Sequence, residues 1–274
     1  MSDIGKELRL SRIFSKGRRA LIVAMDHAST FGPMAGLEKP DETIRKVIEG
    51  GADAIMTTFG VIRQFYGLMQ GRAAIILRID GGPSSYGLEE FLTKGEWNLL
   101  YSVEEAVKLG VDGVVAMAFL GVPGEAAILK TLANVAEKCQ DWGMPLLAET
   151  LPIFSEKIKN PYDAEHVSVA ARIGQEYGAD FIKTNYTGSP ESFRKVTECC
   201  AIPVLIAGGP IMESPRDVLE AVKGTIDGGG RGVVFGRNIW QYKDPTAMTR
   251  AIARIIHKGA TVEEAIKELP EGKP

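Results

Sequence analysis

The chain has 274 residues, of which 45% are hydrophobic and 24% charged, with a formal net charge of −3. These proportions are ordinary for a globular protein and exclude a disordered chain. The slightly acidic balance supplies no field for nucleic acid, so no nucleic-acid partner is expected, although a local site can still hold a small anion. The length suits one eight-stranded α/β barrel and is enough to bury a core without metal or disulfide staples. Cys139, Cys199 and Cys200 are odd in number and lack metal-ligand spacing, which reads as reduced thiols. Met1 to Arg19 mixes charges without an apolar signal core, and no apolar run approaches the roughly 18 residues that span a bilayer. The expectation is a cytoplasmic protein with no membrane partner.

In chain order, short apolar runs rich in Val, Ile and Ala predict strands at Ala20–Met25, Asp53–Thr58, Ala73–Ile79, Asp112–Ala118, Pro145–Glu149, Asp180–Thr184, Pro203–Ala207 and Arg231–Phe235. Runs that are apolar throughout suit strands buried on both faces, hence a parallel sheet. Helical patterns lie between them at Asp41–Glu49, Ser102–Leu109, Pro123–Trp142, Asp163–Tyr177, Pro190–Cys199 and Pro215–Asp227. Asp41 and Ser102 stand as N-caps, and Ser102 with Glu105 has capping-box spacing. Gly51, Gly110, Gly143, Gly178 and Gly230 close helices before the next strand. The phrase Gly-Ala-Asp occurs at Gly51–Asp53 and Gly178–Asp180, with a near copy at Gly110–Asp112. The Gly- and Ser-rich stretch Gly81–Leu100, with Pro83, is expected to loop over the rim. Thr261–Glu268 reads as a short outer helix. Eight strands with eight crossovers predict a closed (β/α)8 barrel, the TIM-barrel architecture, as one domain over residues 1–274.

In such a barrel, chemistry comes from strand C-terminal ends and the loops just after them. Those positions hold Asp26 and His27, Arg78 and Asp80, Glu149, and Lys183. Lys183 lies inside an apolar strand. It can snorkel to the rim, pair with a carboxylate, or serve as a nucleophile that burial keeps neutral by disfavouring its charged form. The glycine turns after the last two strands, Ala207-Gly208-Gly209-Pro210 and Gly236-Arg237-Asn238, fall where these barrels bind phosphate. Gly208, Gly209 and Gly236 let backbone N–H groups approach an anion, and Arg237 can add a charge-assisted bond. The alternative is two tight turns and no ligand. Gly228–Gly232 is not a dinucleotide fingerprint, because its glycines end a helix and precede a strand. His27, His166 and His257 are not at ligand spacing, so neither a metal nor another cofactor is expected.

These residues resemble a known family. Asp26-His27 with Gly32-Pro33 and Gly36-Leu37 is similar to the opening motif of archaeal-type class I fructose-bisphosphate aldolases and of 2-amino-3,7-dideoxy-D-threo-hept-6-ulosonate synthases. Lys183-Thr184-Asn185-Tyr186-Thr187-Gly188-Ser189-Pro190 resembles their Schiff-base strand, and Ala207–Pro210 and Gly236–Gln241 their phosphate loops. The likeness runs from about Gly17 to Glu268. It implies Lys183 as the Schiff-base lysine and Asp26 as an acid/base on the carbinolamine. It also implies a phosphate held by Gly208, Gly209, Gly236 and Arg237, and a homo-oligomer. The substrate it implies is a phosphorylated sugar or keto compound such as dihydroxyacetone phosphate; Arg78, Asp80 and His27 are expected as further contacts from their strand-end positions.

One departure stands out. The family carries Tyr-Pro-Arg-Gly after strand five, where this chain reads Glu149-Thr150-Leu151-Pro152-Ile153. Leu151 has no proton to give and Ile153 cannot bind phosphate. Glu149 could take over the tyrosine's task, as a strand-five glutamate does in the related tagatose-bisphosphate aldolases, or it could simply hold Lys183 in an ion pair. The leading expectation is a class I aldolase cleaving or forming a C–C bond in a phosphorylated ketose. A transaldolase-like synthase of an amino-keto sugar, a thiolase-type relative and a non-catalytic sugar-phosphate binder stand as alternatives.

Overall fold

The computed structural model describes residues 4–15, 17–87 and 96–270. The apolar runs form eight parallel strands: β1 (Ala20–Ala24), β2 (Ala54–Thr57), β3 (Ala74–Arg78), β4 (Gly113–Leu120), β5 (Leu146–Pro152), β6 (Phe181–Thr184), β7 (Val204–Ala207) and β8 (Gly232–Phe235). They pair in chain order, and β1 pairs with both β2 and β8, which closes the barrel. This is the expected (β/α)8 architecture.

Strand periodicity sorts the side chains into two cores. Ile22, Met56, Ile76, Val115, Leu147, Phe181, Leu205 and Val234 fill the barrel's interior. Their neighbours Leu21, Val23, Ile55, Leu77, Val114 and Ile182 face the surrounding helices. The same alternation carries the interior rows upward. Two residues beyond Ile76 stands Arg78, beyond Leu147 stands Glu149, and beyond Phe181 stands Lys183. The register sets Glu149 beside Lys183 across β5 and β6.

The opposite end of the barrel is stoppered. Helix α1 (Ile4–Ile13) lies across it, burying Ile13 among the interior residues, and Phe14 meets Phe181 edge-on at 5.3 Å. Arg12 Nε bonds Asp112 at 2.5 Å and Lys6 Nζ bonds Asp180 at 3.1 Å. These aspartates belong to the Gly-Ala-Asp phrase and its near copy, and the structure gives the phrase a purpose. Asp53, Asp112 and Asp180 each accept a backbone N–H from an adjacent strand, those of Leu21, Ile75 and Leu146 respectively. The glycine turns the chain out of a helix, and the carboxylate ties down the strand entry.

The elements differ from expectation in several places. β4 and β5 run on to Leu120 and Pro152, because their extra residues remain paired, Phe119 with Leu151 and Leu120 with Pro152. Helices at Phe59–Met69 and Pro245–Lys258, like α1, were not expected. Asp41 is not a cap. Pro40 opens the helix behind Lys39, which makes no side-chain cap, so Asp41 lies in the first turn. The helix expected from Pro123 begins at Glu125, after a left-handed Gly124. Gly229, with φ +91°, makes the left-handed exit expected of Gly230. Within Gly81–Leu100, Asp80–Gly81 pairs antiparallel with Asn98–Leu99, and Ser85–Gly87 is a 3-10 turn; residues 88–95 lie outside the described residues. Among the described residues, no helix is long and apolar enough to cross a membrane.

Candidate active site

A cavity of about 540 Å³ opens at the C-terminal rim, and every candidate residue from the sequence lines it: Asp26, His27, Arg78, Asp80, Glu149, Lys183, Gly208, Gly209, Gly236 and Arg237. Arg78 is its hub. Its Nε donates to Asp26 Oδ2 at 2.9 Å, its Nη1 to Asp80 Oδ1 at 3.1 Å, and its Nη2 to Glu149 Oε2. A planar guanidinium, with five N–H donors in a rigid fork, suits three carboxylates held in fixed directions. Glu149 turns its other oxygen to Lys183, with Oε1 2.6 Å from Nζ. Arg78, Glu149 and Lys183 are 6%, 6% and 5% exposed, so the network is shielded from water and its electrostatics are strong.

Lys183 is therefore not a solitary buried amine; the structure pairs it with a carboxylate. The pairing lies inside the cavity that also holds the glycine turns, not remote from them. Burial raises the Glu149 carboxyl, but Lys183 and Arg78 outweigh it and hold the group below its usual range. Burial likewise works against ionised Asp26, yet Arg78, helped by His27 and Lys183, keeps it far below the ordinary carboxylate value. Asp80 goes the other way: burial raises its carboxyl more than Arg78 and its other donors lower it. Those donors are Trp97 Nε1 at 2.7 Å and the Met117 backbone N–H at 2.5 Å, so Asp80 is gripped from three sides and braces Arg78. The His27 Nδ1 stands 3.4 Å from Asp26 Oδ1, and the ring meets Trp240 edge-on.

The glycine turns follow β7 and β8, between Lys183 on β6 and Asp26 after β1. Gly209 has φ +61°, a left-handed conformation that glycine adopts without strain. Arg237 Nη2 donates to Gly209 O at 2.8 Å, while its buried Nε has no hydrogen-bond partner among the described residues. Asn238 joins the two turns. Its Nδ2 donates to Gly208 O at 2.8 Å and Pro210 O at 3.0 Å, and its Oδ1 accepts from Met212 N at 2.9 Å. Sequence reasoning did not single out Asn238 or Trp97, since their value lies in partners far along the chain. Tyr186, in the lysine motif, faces away from the cavity. Its hydroxyl fills the space left by Gly224, its ring packs on Phe193, and burial pushes its hydroxyl up to about 12.

The fold and its mouth together are those of a barrel aldolase. The chain belongs to the DeoC/LacD family of aldolases, whose family model matches residues 20–242. It is 35% identical to the 2-amino-3,7-dideoxy-D-threo-hept-6-ulosonate synthase of Halobacterium salinarum, over 97% of each chain. It is 32% identical to an uncharacterized aldolase of Saccharolobus solfataricus, over 97% of this chain and 99% of that one. Among solved structures it resembles an archaeal fructose-1,6-bisphosphate aldolase whose catalytic lysine is covalently bound to the carbinolamine intermediate. That match has a TM-score of 0.81 and 29% identity, covering 92% of this chain and 99% of the other.

Proposed function

We propose that this aldolase works through a Schiff base on Lys183, formed with a phosphorylated keto compound whose phosphate is held by the turns after β7 and β8. The observation that carries the reading is the Lys183–Glu149 contact of 2.6 Å inside the cavity rimmed by Gly208, Gly209 and Gly236. An ammonium cannot attack a carbonyl, and Glu149 is placed to take its proton. The freed amine adds to the ketone, and the protonated Glu149 returns the proton to the carbinolamine oxygen, which leaves as water. Asp26, held as an anion by Arg78, stabilises the iminium charge. The phosphate accepts from the glycine N–H groups and from Arg237, whose partnerless buried Nε gains an acceptor. These steps call for no metal or cofactor.

A transaldolase-like transfer begins with the same Schiff base and is the second reading, favoured by the likeness to the Halobacterium synthase. Borohydride reduction with dihydroxyacetone phosphate tests the shared first half. Intact mass and peptide mapping should place one adduct on Lys183, and its absence would remove the proposal's centre. Glu149→Gln should lower turnover by about 10²–10⁴-fold while a trapped adduct remains detectable. Unchanged turnover would retire the acid/base role.

A further inference from the structure

We propose that the side of the mouth opposite the phosphate loops binds a small, unphosphorylated aliphatic aldehyde as the carbon–carbon bonding partner. The proposal rests on the Schiff-base reading of Lys183. In the closed barrel β3 and β4 stand across from β7 and β8, so the arc from β3 to β5 faces the glycine turns. The interior rows of that arc become apolar above the charged network. On β4, Val115 is followed inward by Met117 and Phe119. On β5, Glu149 is followed by Leu151 and, just past the strand's end, by Ile153, all three in the cavity wall. Trp97 meets Phe119 edge-on at 5.0 Å while its N–H donates to Asp80, so the indole turns hydrocarbon toward the space. At the lip, Leu100 and Phe154 are 57% and 69% exposed and extend the same surface outward.

The distribution of cations supports this reading. Among the described residues, the cavity's Lys, Arg and His side chains are His27, Arg78, Lys183 and Arg237. Arg78 is committed to three carboxylates and Lys183 to Glu149. His27 follows β1, and Arg237 bonds the Gly209 carbonyl on the β7–β8 side. No described cation lines the β4–β5 wall, so a second phosphate there would lose its hydration and gain little. An alkyl chain would lose nothing polar. The bond-forming step balances without an oxidant or reductant. The Lys183 iminium loses its α-proton to Glu149 to give an enamine, whose carbon bonds to the aldehyde carbon. The aldehyde oxygen takes that proton back, and water hydrolyses the new iminium to release a ketose phosphate with an alkyl tail and restore the Lys183 ammonium beside Glu149.

The test offers dihydroxyacetone phosphate with either butanal or glyceraldehyde 3-phosphate and measures product formation by mass spectrometry, alongside borohydride trapping of the donor alone. Butanal should be preferred in kcat/KM by at least roughly 10-fold, within the range a few methylenes give in an apolar pocket. Leu151→Arg should reverse the preference, and Ile153→Arg at the lip should shift it in the same direction should the first variant fold poorly. A trapped Lys183 adduct with glyceraldehyde 3-phosphate preferred overturns this proposal and leaves the Schiff-base reading intact. No adduct at all overturns both.

Discussion

Replacing Arg78 by Met keeps the apolar length of the side chain and removes the charge that Asp26, Asp80 and Glu149 share. Breaking a buried ion pair from one side costs about 3–5 kcal/mol, because the remaining charge stays buried without its partner. Three carboxylates depend on this one guanidinium, which places the loss near the upper end. At roughly 2 °C or more per kcal/mol for a chain of this size, the melting point should fall by ~10 °C. The pH dependence gives the reasoning its sharper edge. In the intact protein, Asp26 and Glu149 are held below their ordinary values, so their stabilisation is present above pH ~4 and fades as pH falls through the folded values. Without Arg78, burial acts on them with less opposition and raises them, so a folded-state proton gives relief at low pH and is lost as pH rises. The deficit should be largest at pH 7 and narrower at pH 5 in paired urea titrations. A loss below about 1 kcal/mol, or one equal at both pH values, would show that the hub does not hold the network.

Two further outcomes follow from packing. Asn238→Ala removes the link between the two glycine turns. With each unsatisfied buried partner costing about 1–3 kcal/mol, KM for the phosphorylated donor should rise ~10–100-fold with a smaller change in kcat, read by steady-state kinetics and by inhibition with inorganic phosphate. Ile13→Ala opens a void at the stoppered end. It should destabilise the protein by about 2–5 kcal/mol in urea denaturation while the folded fraction keeps its kcat.

Much of the barrel was legible because a buried parallel strand has a simple signature, a short run of Val, Ile and Ala between helix exits. The candidate site was legible for the same reason: once strand ends are placed, the residues there are few. The unexpected helices have separate explanations. Phe59–Met69 is apolar and aromatic on most sides and carries Gly60 and Gly67, so its periodicity is blurred. Pro245–Lys258 did carry a signal, with Asp244 as cap, Pro245 at the first turn, and Met248, Ile252 and Ile255 at helical spacing. The Arg78 hub was beyond reach. Its partners lie 52, 2 and 71 residues away, and only barrel closure brings them together. The Lys183–Glu149 ion pair, by contrast, stood among the sequence's alternatives, although nothing in Phe181-Ile182-Lys183-Thr184 itself distinguishes a lone amine from one resting on a glutamate.

The interior packed by Ile22, Met56 and Phe181, with α1 behind it, makes the vessel a blind one. A molecule that reacts on Lys183, as proposed, would arrive and depart through the rim, and its partner would have to share that one opening. On the Schiff-base proposal, traffic would then be ordered: the keto compound enters before its partner, and the finished product clears the opening before another cycle starts. Excess aldehyde would then act as a cork, slowing entry of the compound that has to come first.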